Sequence, residues 1–193
     1  MRIKNLVENF VGYVKKNNVT IYNEASIQYE LAIFLRRKIK NYKIQLERNV
    51  SAFGLDKTKT KFLKKEIDVC IFRGDEPKKS AEKYAIEIKF PINGEYPAQM
   101  FSFCKDIRFL EELRAAGFQN NLFIAFTNDR LFWEGEKKDG VYKPFRQSEK
   151  LEGVVKDPFS NEEIKFEKKY HFKWQDGFKD EYGELVRFFT VTV

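Results

Sequence analysis

The chain has 193 residues, of which 42% are hydrophobic and 34% are charged, and it contains 20 Phe and 9 Tyr. This composition excludes a disordered chain, and the length fits one globular domain with an aromatic core under a highly charged surface. The formal net charge of +7 favours a polyanionic partner such as nucleic acid, because lysine and arginine neutralise phosphates.

Membrane insertion and disulfide chemistry are both disfavoured by the sequence. No segment approaches the roughly 18 uninterrupted apolar residues that a membrane helix needs, and charged residues interrupt the start MRIKNLVENF. We therefore expect a cytoplasmic protein without membrane contact. Cys70 and Cys104 lie in apolar segments and lack CxxC spacing, which predicts two buried free thiols.

Two helices are predicted at the beginning of the chain. Residues 2–16 carry apolar side chains at three-to-four spacing, which is typical of an amphipathic helix. Asn23 is a suitable N-cap for a second helix over residues 24–40. The buried side of this second helix is predicted to consist of Ile27, Leu31, Phe34, Leu35 and Ile39.

The pattern then changes to the alternation of β-strands. A strand is predicted over residues 43–50, followed by a basic loop over residues 51–61. The segments EIDVCIF, residues 66–72, and KYAIEIKF, residues 83–90, are two further strands, and turn-rich residues connect them. Consecutive strands joined by a turn predict a β-hairpin.

A crossover helix is predicted next. Residues 97–116 have apolar positions at helical spacing and end at Gly117, and residues 122–126 form a short, wholly apolar run. The succession of strand, helix and strand predicts a parallel pair of strands. Beyond about residue 134 the chain is rich in charge and turns, with strands predicted over residues 164–166, 170–174 and 185–193.

These elements predict an α/β fold with a central mixed sheet of about five strands flanked by helices. We expect a single domain over residues 1–193, with a core spanning about residues 23–128 and a β-rich C-terminal extension over about residues 134–193.

The residues with the clearest chemical potential lie on the predicted hairpin. Glu87 and Lys89 are two positions apart and therefore share a face of their strand, and Asp68 stands opposite its own apolar neighbours. One register of the hairpin would bring the three side chains together. Two carboxylates suit Mg²⁺ or Mn²⁺, and the lysine could orient or deprotonate a water and stabilise charge on a phosphate. The set contains the minimum parts of metal-dependent phosphodiester hydrolysis.

The order of these residues resembles the PD-(D/E)XK motif of restriction-endonuclease-like nucleases. Ile67-Asp68 follows the start of one apolar strand, and Glu87-Ile88-Lys89 lies on the next. The resemblance covers about residues 23–128 and identifies a superfamily. It implies a restriction-endonuclease-like core, hydrolysis of DNA, and Asp68 and Glu87 as ligands of Mg²⁺ or Mn²⁺.

The resemblance also implies a role for the second helix and for the crossover helix. Members of the superfamily often supply a glutamate from the preceding helix, and both Glu24 and Glu30 are candidates here. Gln99 precedes Phe103 by four residues, similar to the Gln-xxx-Tyr element of the RecB-like branch, with Phe in place of Tyr. Gln99 would then contact nucleic acid or support Lys89. Asp106 on the same helix is not expected to be a ligand.

Arg36, Arg37 and Lys61 are candidate phosphate contacts, because basic residues cluster around them. DNA is the expected partner and RNA is an alternative. A homodimer is a further option, since many nucleases that cut both strands are symmetric dimers. Two other functions stay open: a nucleic-acid-binding or protein-interaction module on the same fold without turnover, and a structural domain whose acidic cluster is only surface.

Overall fold

The computed structural model describes residues 1–55, 62–91, 94, 96–147 and 149–193. Within this part of the chain the α-helices are α1 (Ile3–Asn17), α2 (Glu24–Lys38), α3 (Tyr96–Ala115) and α4 (Lys143–Arg146). The strands are β1 (Tyr42–Asn49), β2 (Glu66–Arg73), β3 (Lys83–Lys89), β4 (Leu122–Thr127), β5 (Val154–Lys156), β6 (Glu163–Lys165), β7 (Gln175–Lys179) and β8 (Leu185–Thr192).

A mixed sheet of six strands forms the centre of the molecule, in the order β1-β2-β3-β4-β8-β7. β3 and β4 run parallel, as the intervening helix α3 requires, and the other neighbouring pairs are antiparallel. The predicted α/β class with a helix-flanked mixed sheet is confirmed. The sheet has six strands rather than about five, because the C-terminal strands β7 and β8 join it beside β4.

Helices cover both faces of this sheet. Alternate side chains of β2 and β3, such as Val69 and Ile86, pack with α1 and α2 on one face. The intervening side chains, such as Cys70 and Ala85, pack with α3 and the C-terminal segment on the other face. The two central strands are therefore buried on both sides, and any polar group at an α3-facing position of these strands is removed from bulk water.

Helix α2 begins at a well-formed cap. The side chain of Asn23 accepts a hydrogen bond from the backbone N–H of Ser26 at 2.8 Å, and the Ser26 hydroxyl accepts one from the N–H of Asn23 at 3.1 Å. This reciprocal capping box satisfies donors that an uncapped helix start would leave free. It fixes where the helix begins and therefore where its first residue, Glu24, lies relative to the sheet.

The C-terminal part departs from the predicted strands over residues 170–174, and it contains two strands, β5 and β7, that the sequence did not predict. Residues 170–174 do not form a strand, and Tyr170 makes a single bridge with Leu151. The alternating aromatic residues of this segment pack on the α3-side core, where the ring of Phe172 stacks on that of Phe189 with centroids 4.2 Å apart. β7 begins only at Gln175, and β5 and β6 form a separate two-stranded sheet.

In the described residues we find no helix that is both long and apolar enough to cross a membrane.

Candidate active site

Asp68 and Glu87 lie side by side where β2 and β3 cease to pair through their backbones. The last pair of the ladder at this end is Val69 with Ile86. Beyond it, Oδ2 of Asp68 accepts a hydrogen bond from the N–H of Ile88 at 2.7 Å, and Oε1 of Glu87 accepts one from the N–H of Asp68 at 3.3 Å. Each carboxylate is thus held by the backbone of the opposite strand, which fixes its orientation.

Lys89 extends this cluster at the end of β3. Its Nζ atom lies 3.5 Å from Oε1 of Glu24 and 3.2 Å from Oδ2 of Asp106. Oε2 of Glu24 also accepts a hydrogen bond from the N–H of Phe90 at 3.2 Å. The first residue of α2 is therefore connected to the end of β3 by both of its carboxylate oxygens.

Of the two glutamates considered on α2, the structure places Glu24 at the cluster. Glu30 follows it by six residues, which is about 9 Å along a helix axis and about 120° around it. The two side chains therefore leave different faces of the helix, and only that of Glu24 points toward the end of β3.

Asp106 belongs to the cluster, although the sequence did not predict it as a ligand. It lies on the buried face of α3, three residues after Phe103 and four before Leu110, and it is 2% exposed. A carboxylate within the apolar stripe of an amphipathic helix has to find a polar partner inside the protein. That position is the signal by which the sequence could have identified it.

Lys64 is the second member of the cluster that the sequence did not predict. It lies outside helices and strands, two residues before β2 begins at Glu66. Its Nζ atom is 2.9 Å from Oδ1 of Asp106 and 3.8 Å from Oδ1 of Asp68, and it donates a hydrogen bond to Oε2 of Glu87. One ammonium therefore contacts three carboxylates that come from three different elements.

The cluster has more acidic than basic groups and is largely buried. Glu87 is 0% exposed and Asp68 is 5% exposed. With Asp106 and Glu24 they make four carboxylates against two ammonium groups, so full ionisation would leave two negative charges uncompensated. Burial raises the pKa of Asp68 to about 6. Burial, followed by repulsion from Asp68, raises the pKa of Glu87 well above its ordinary value.

Both lysines remain protonated in this environment. Burial disfavours the charged form of Lys89, but attraction by Asp106, Glu24 and Asp68 outweighs it and raises the pKa of Lys89. The same balance, with Glu87, Asp106 and Asp68 as the attracting charges, raises the pKa of Lys64. A lysine with a raised pKa is a poor proton acceptor at neutral pH, so Lys89 is suited to orienting a water and stabilising negative charge.

The carboxylate oxygens of the cluster suit a hard divalent cation, provided that Lys64 does not occupy their centre. Asp68, Glu87 and Asp106 offer carboxylate oxygens, which Mg²⁺ and Mn²⁺ prefer, and the excess of two negative charges matches a divalent ion. In the described part of the chain, however, no group of three or more His, Cys, Asp or Glu side chains is arranged to hold a metal ion. The three carboxylates face the Lys64 ammonium, so these residues fit a metal only if Lys64 withdraws.

The candidate nucleic-acid contacts lie away from this cluster or outside the described residues. Arg36 follows Glu24 by twelve residues on α2, or about 18 Å along the helix, and Arg37 lines a groove between α1 and α2. Gln99 is half-buried in the first turn of α3, two helical turns before Asp106 on the same face. Lys61 falls outside the described residues.

Comparisons of the chain with protein-family models, with curated proteins and with solved structures gave no match. The function that follows therefore depends on the chemistry of the cluster and on the order of its residues along the chain.

Proposed function

We propose that this protein is a metal-dependent nuclease of the PD-(D/E)XK type that hydrolyses phosphodiester bonds of DNA. The observation that carries the proposal is the convergence of Asp68, Glu87 and Lys89 with Glu24 at the ends of β2 and β3. These are the residue types and the chain order of the motif, and the two backbone hydrogen bonds orient both carboxylates.

Asp68 and Glu87 would hold Mg²⁺ or Mn²⁺. The chemistry that such a bound ion supplies is Lewis-acid polarisation of a phosphoryl oxygen and activation of water near neutral pH. The protein contributes fixed oxygens on a rigid part of the sheet, because each carboxylate is restrained by a backbone N–H of the neighbouring strand. Binding of a cation would also offset the repulsion between the two buried carboxylates.

Lys89 would act as a fixed positive charge at the reacting phosphate. Its ammonium can donate a hydrogen bond to the attacking water and stabilise the negative charge that develops on a pentacovalent phosphorus. Glu24 and Asp106 hold Nζ of Lys89 from two sides, at 3.5 Å and 3.2 Å. Glu24 is thus a positioning residue in this scheme, since it contacts Lys89 and the backbone at Phe90.

A polyanionic substrate is consistent with the charge of the chain. The net charge of +7 persists although the cluster itself is acidic, so the excess of lysine and arginine is distributed elsewhere on the molecule. Basic surface attracts nucleic acid and neutralises its phosphates, largely without regard to sequence. DNA is the proposed substrate, and RNA is included in the test.

A binding module without turnover is the second candidate function. The observation that favours it is the position of Lys64, whose ammonium already contacts Glu87, Asp106 and Asp68 where a metal ion would lie. A carboxylate cluster that is permanently occupied by an ammonium in this way would be structural, and the basic surface could still bind nucleic acid.

The decisive experiment is a cleavage assay with plasmid, linear duplex, single-stranded DNA and RNA in Mg²⁺, Mn²⁺ or EDTA. Wild type, Lys89→Ala and Lys43→Ala are compared, the last as a control that removes one exposed positive charge. We expect metal-dependent cutting by wild type and Lys43→Ala, and its loss in Lys89→Ala. Wild-type protein that binds these substrates but cuts none of them would favour the binding module.

A further inference from the structure

The ammonium of Lys64 occupies the centre of the carboxylate cluster in the manner of a bound cation. It lies 2.9 Å from Oδ1 of Asp106 and 3.8 Å from Oδ1 of Asp68, and it is hydrogen-bonded to Oε2 of Glu87. The three carboxylates belong to β2, β3 and α3, so no local feature of the chain brings them together. They converge on a single positive charge.

The oxygens that face Lys64 are those not engaged by the backbone. Asp68 uses Oδ2, and Glu87 uses Oε1, to accept backbone N–H groups, which leaves Oδ1 and Oε2 directed at the ammonium. Asp106 has a buried Oδ2 that accepts no hydrogen bond, although Nζ of Lys89 lies 3.2 Å from it. A buried carboxylate oxygen without a hydrogen bond is uncommon and indicates capacity for another partner.

Of the two ammonium groups in the cluster, that of Lys64 is the better placed to leave. Its side chain is 27% exposed, against 17% for Lys89, whereas the three carboxylates that it contacts, Asp68, Glu87 and Asp106, are 7%, 0% and 3% exposed. It belongs to neither a helix nor a strand, so a change of side-chain rotamer can carry the ammonium outward while the carboxylates stay fixed.

We propose that Lys64 is an internal counterion that a divalent cation displaces, and that Asp106 joins Asp68 and Glu87 as an oxygen ligand of that cation. The metal and the ammonium exclude each other, because they require the same oxygens and repel one another. Lys64 thus stabilises the metal-free protein and raises the metal concentration that is needed for binding. The inference rests on the proposed function only in that the cluster takes a divalent cation.

The first test measures metal affinity without nucleic acid. Mn²⁺ is titrated into wild type, Lys64→Met and Lys65→Met, with binding followed by calorimetry and by the electron paramagnetic resonance signal of free Mn²⁺. Lys65 is the exposed neighbour and serves as the matched control. We expect Lys64→Met to bind Mn²⁺ about tenfold or more tightly than wild type, because a competing positive charge is removed, and Lys65→Met to be unchanged. Equal or weaker binding by Lys64→Met would overturn the proposal.

A second test uses wild-type protein, because Lys64→Met removes the ammonium that contacts Asp68 and Glu87, and a variant with these buried carboxylates unpaired could fail to fold. Lysines are acylated in the presence and absence of Mg²⁺, and the modified positions are quantified by mass spectrometry. Modification of Lys64 should rise several-fold in Mg²⁺ while that of Lys65 stays constant. Labelling of Lys64 that does not respond to Mg²⁺ at any concentration would contradict displacement.

The two tests separate this inference from the nuclease assignment. Displacement of Lys64 by metal in a protein that cuts no substrate would support the exchange and count against the nuclease. Metal-dependent cutting with an unaffected Lys64 would support the nuclease and overturn the exchange.

Discussion

The Oδ2 atom of Asp68 lies 2.7 Å from the backbone nitrogen of Ile88, so a side-chain carboxylate bridges β2 and β3 where the backbone ladder has ended. This bond fixes the carboxylate before any ligand binds. It also holds Asp68 in a buried position, where the ionised form is disfavoured even though Lys64 and Lys89 attract it.

Folding stability should therefore depend on pH through Asp68. Burial raises its pKa from 3.8 to about 6, so between these values the folded protein binds a proton that the unfolded chain has lost. Stability from this group is complete below about pH 4 and falls as the pH rises through 6, by about 3 kcal/mol in total. Urea denaturation is measured at intervals of about one pH unit between pH 4.5 and 7.5. Asp68→Asn should become more stable relative to wild type as the pH increases.

Asp157→Asn is a control, because the pKa of Asp157 is shifted in the opposite direction to that of Asp68. The N–H of Phe159 lowers the pKa of Asp157, so its stabilising effect appears as the pH rises and is lost in acid. From pH 4.5 to 7.5 Asp157 is ionised in both the folded and the unfolded chain, so the stability difference between wild type and Asp157→Asn should stay nearly constant. If the stability of Asp157→Asn relative to wild type rises with pH as that of Asp68→Asn does, the assignment of the pH dependence to Asp68 is incorrect.

The role of Lys89 can be tested by conserving its charge. Because its pKa is raised, Lys89 should act as a cation and not as a proton acceptor. Lys89→Met should lower the rate of DNA cleavage by about 100-fold or more, as removal of one charge-stabilising donor does in other enzymes. Lys89→Arg should retain measurably more activity than Lys89→Met, since arginine stays protonated. Equal loss in both variants, with unchanged circular dichroism, would instead support proton transfer by Lys89.

The two glutamates of α2 provide a matched pair. Glu24 contacts Nζ of Lys89 and the N–H of Phe90, whereas Glu30 leaves a different face of the helix. Glu24→Gln should reduce cleavage by about tenfold or more, because it weakens the restraint on Lys89, and Glu30→Gln should remain within about twofold of wild type. Steady-state cleavage of linear duplex is the measurement. A larger effect of Glu30→Gln would show that Glu24 is not the positioning residue.

Much of the fold could be predicted because local pattern and final burial agree. α2 starts at its predicted cap Asn23, and β4, which is apolar over residues 122–126, is the strand that runs parallel to β3 in the doubly covered sheet. Residues 170–174 were mispredicted because alternation reports which side chains are buried and not whether the backbone finds a partner strand. The aromatic side of that segment is buried by side-chain packing and by the side-chain hydrogen bonds of Tyr170 and Trp174.

The site residues could be predicted only where the periodicity of a strand determines which face a side chain occupies. Asp68, Glu87 and Lys89 follow from alternation on two neighbouring strands, which a hairpin brings into contact. Asp106 and Lys64 do not follow in the same way, since their positions depend on how α3 lies across the sheet and on the path of an irregular segment. These are tertiary relationships without a fixed spacing in the sequence.

A final prediction concerns the attachment of the C-terminal segment, which packs over α3. The carboxylate of Glu111 accepts hydrogen bonds from the N–H groups of Glu167 and Lys168 and from the hydroxyl of Tyr170 at 2.8 Å, and it pairs with Arg108. Glu111→Ala leaves these donors without their acceptor.

We expect Glu111→Ala to lower the free energy of unfolding by about 2–4 kcal/mol, because the truncation leaves several partly buried donors without an acceptor at once. Tyr170→Phe, which removes one hydroxyl, should cost about 1 kcal/mol. Glu162→Ala breaks an exposed ion pair with Lys105 and should cost less than about 1 kcal/mol. Urea denaturation of the three variants measures this order. Similar losses for Glu111→Ala and Glu162→Ala would mean that Glu111 does not anchor the C-terminal segment to α3.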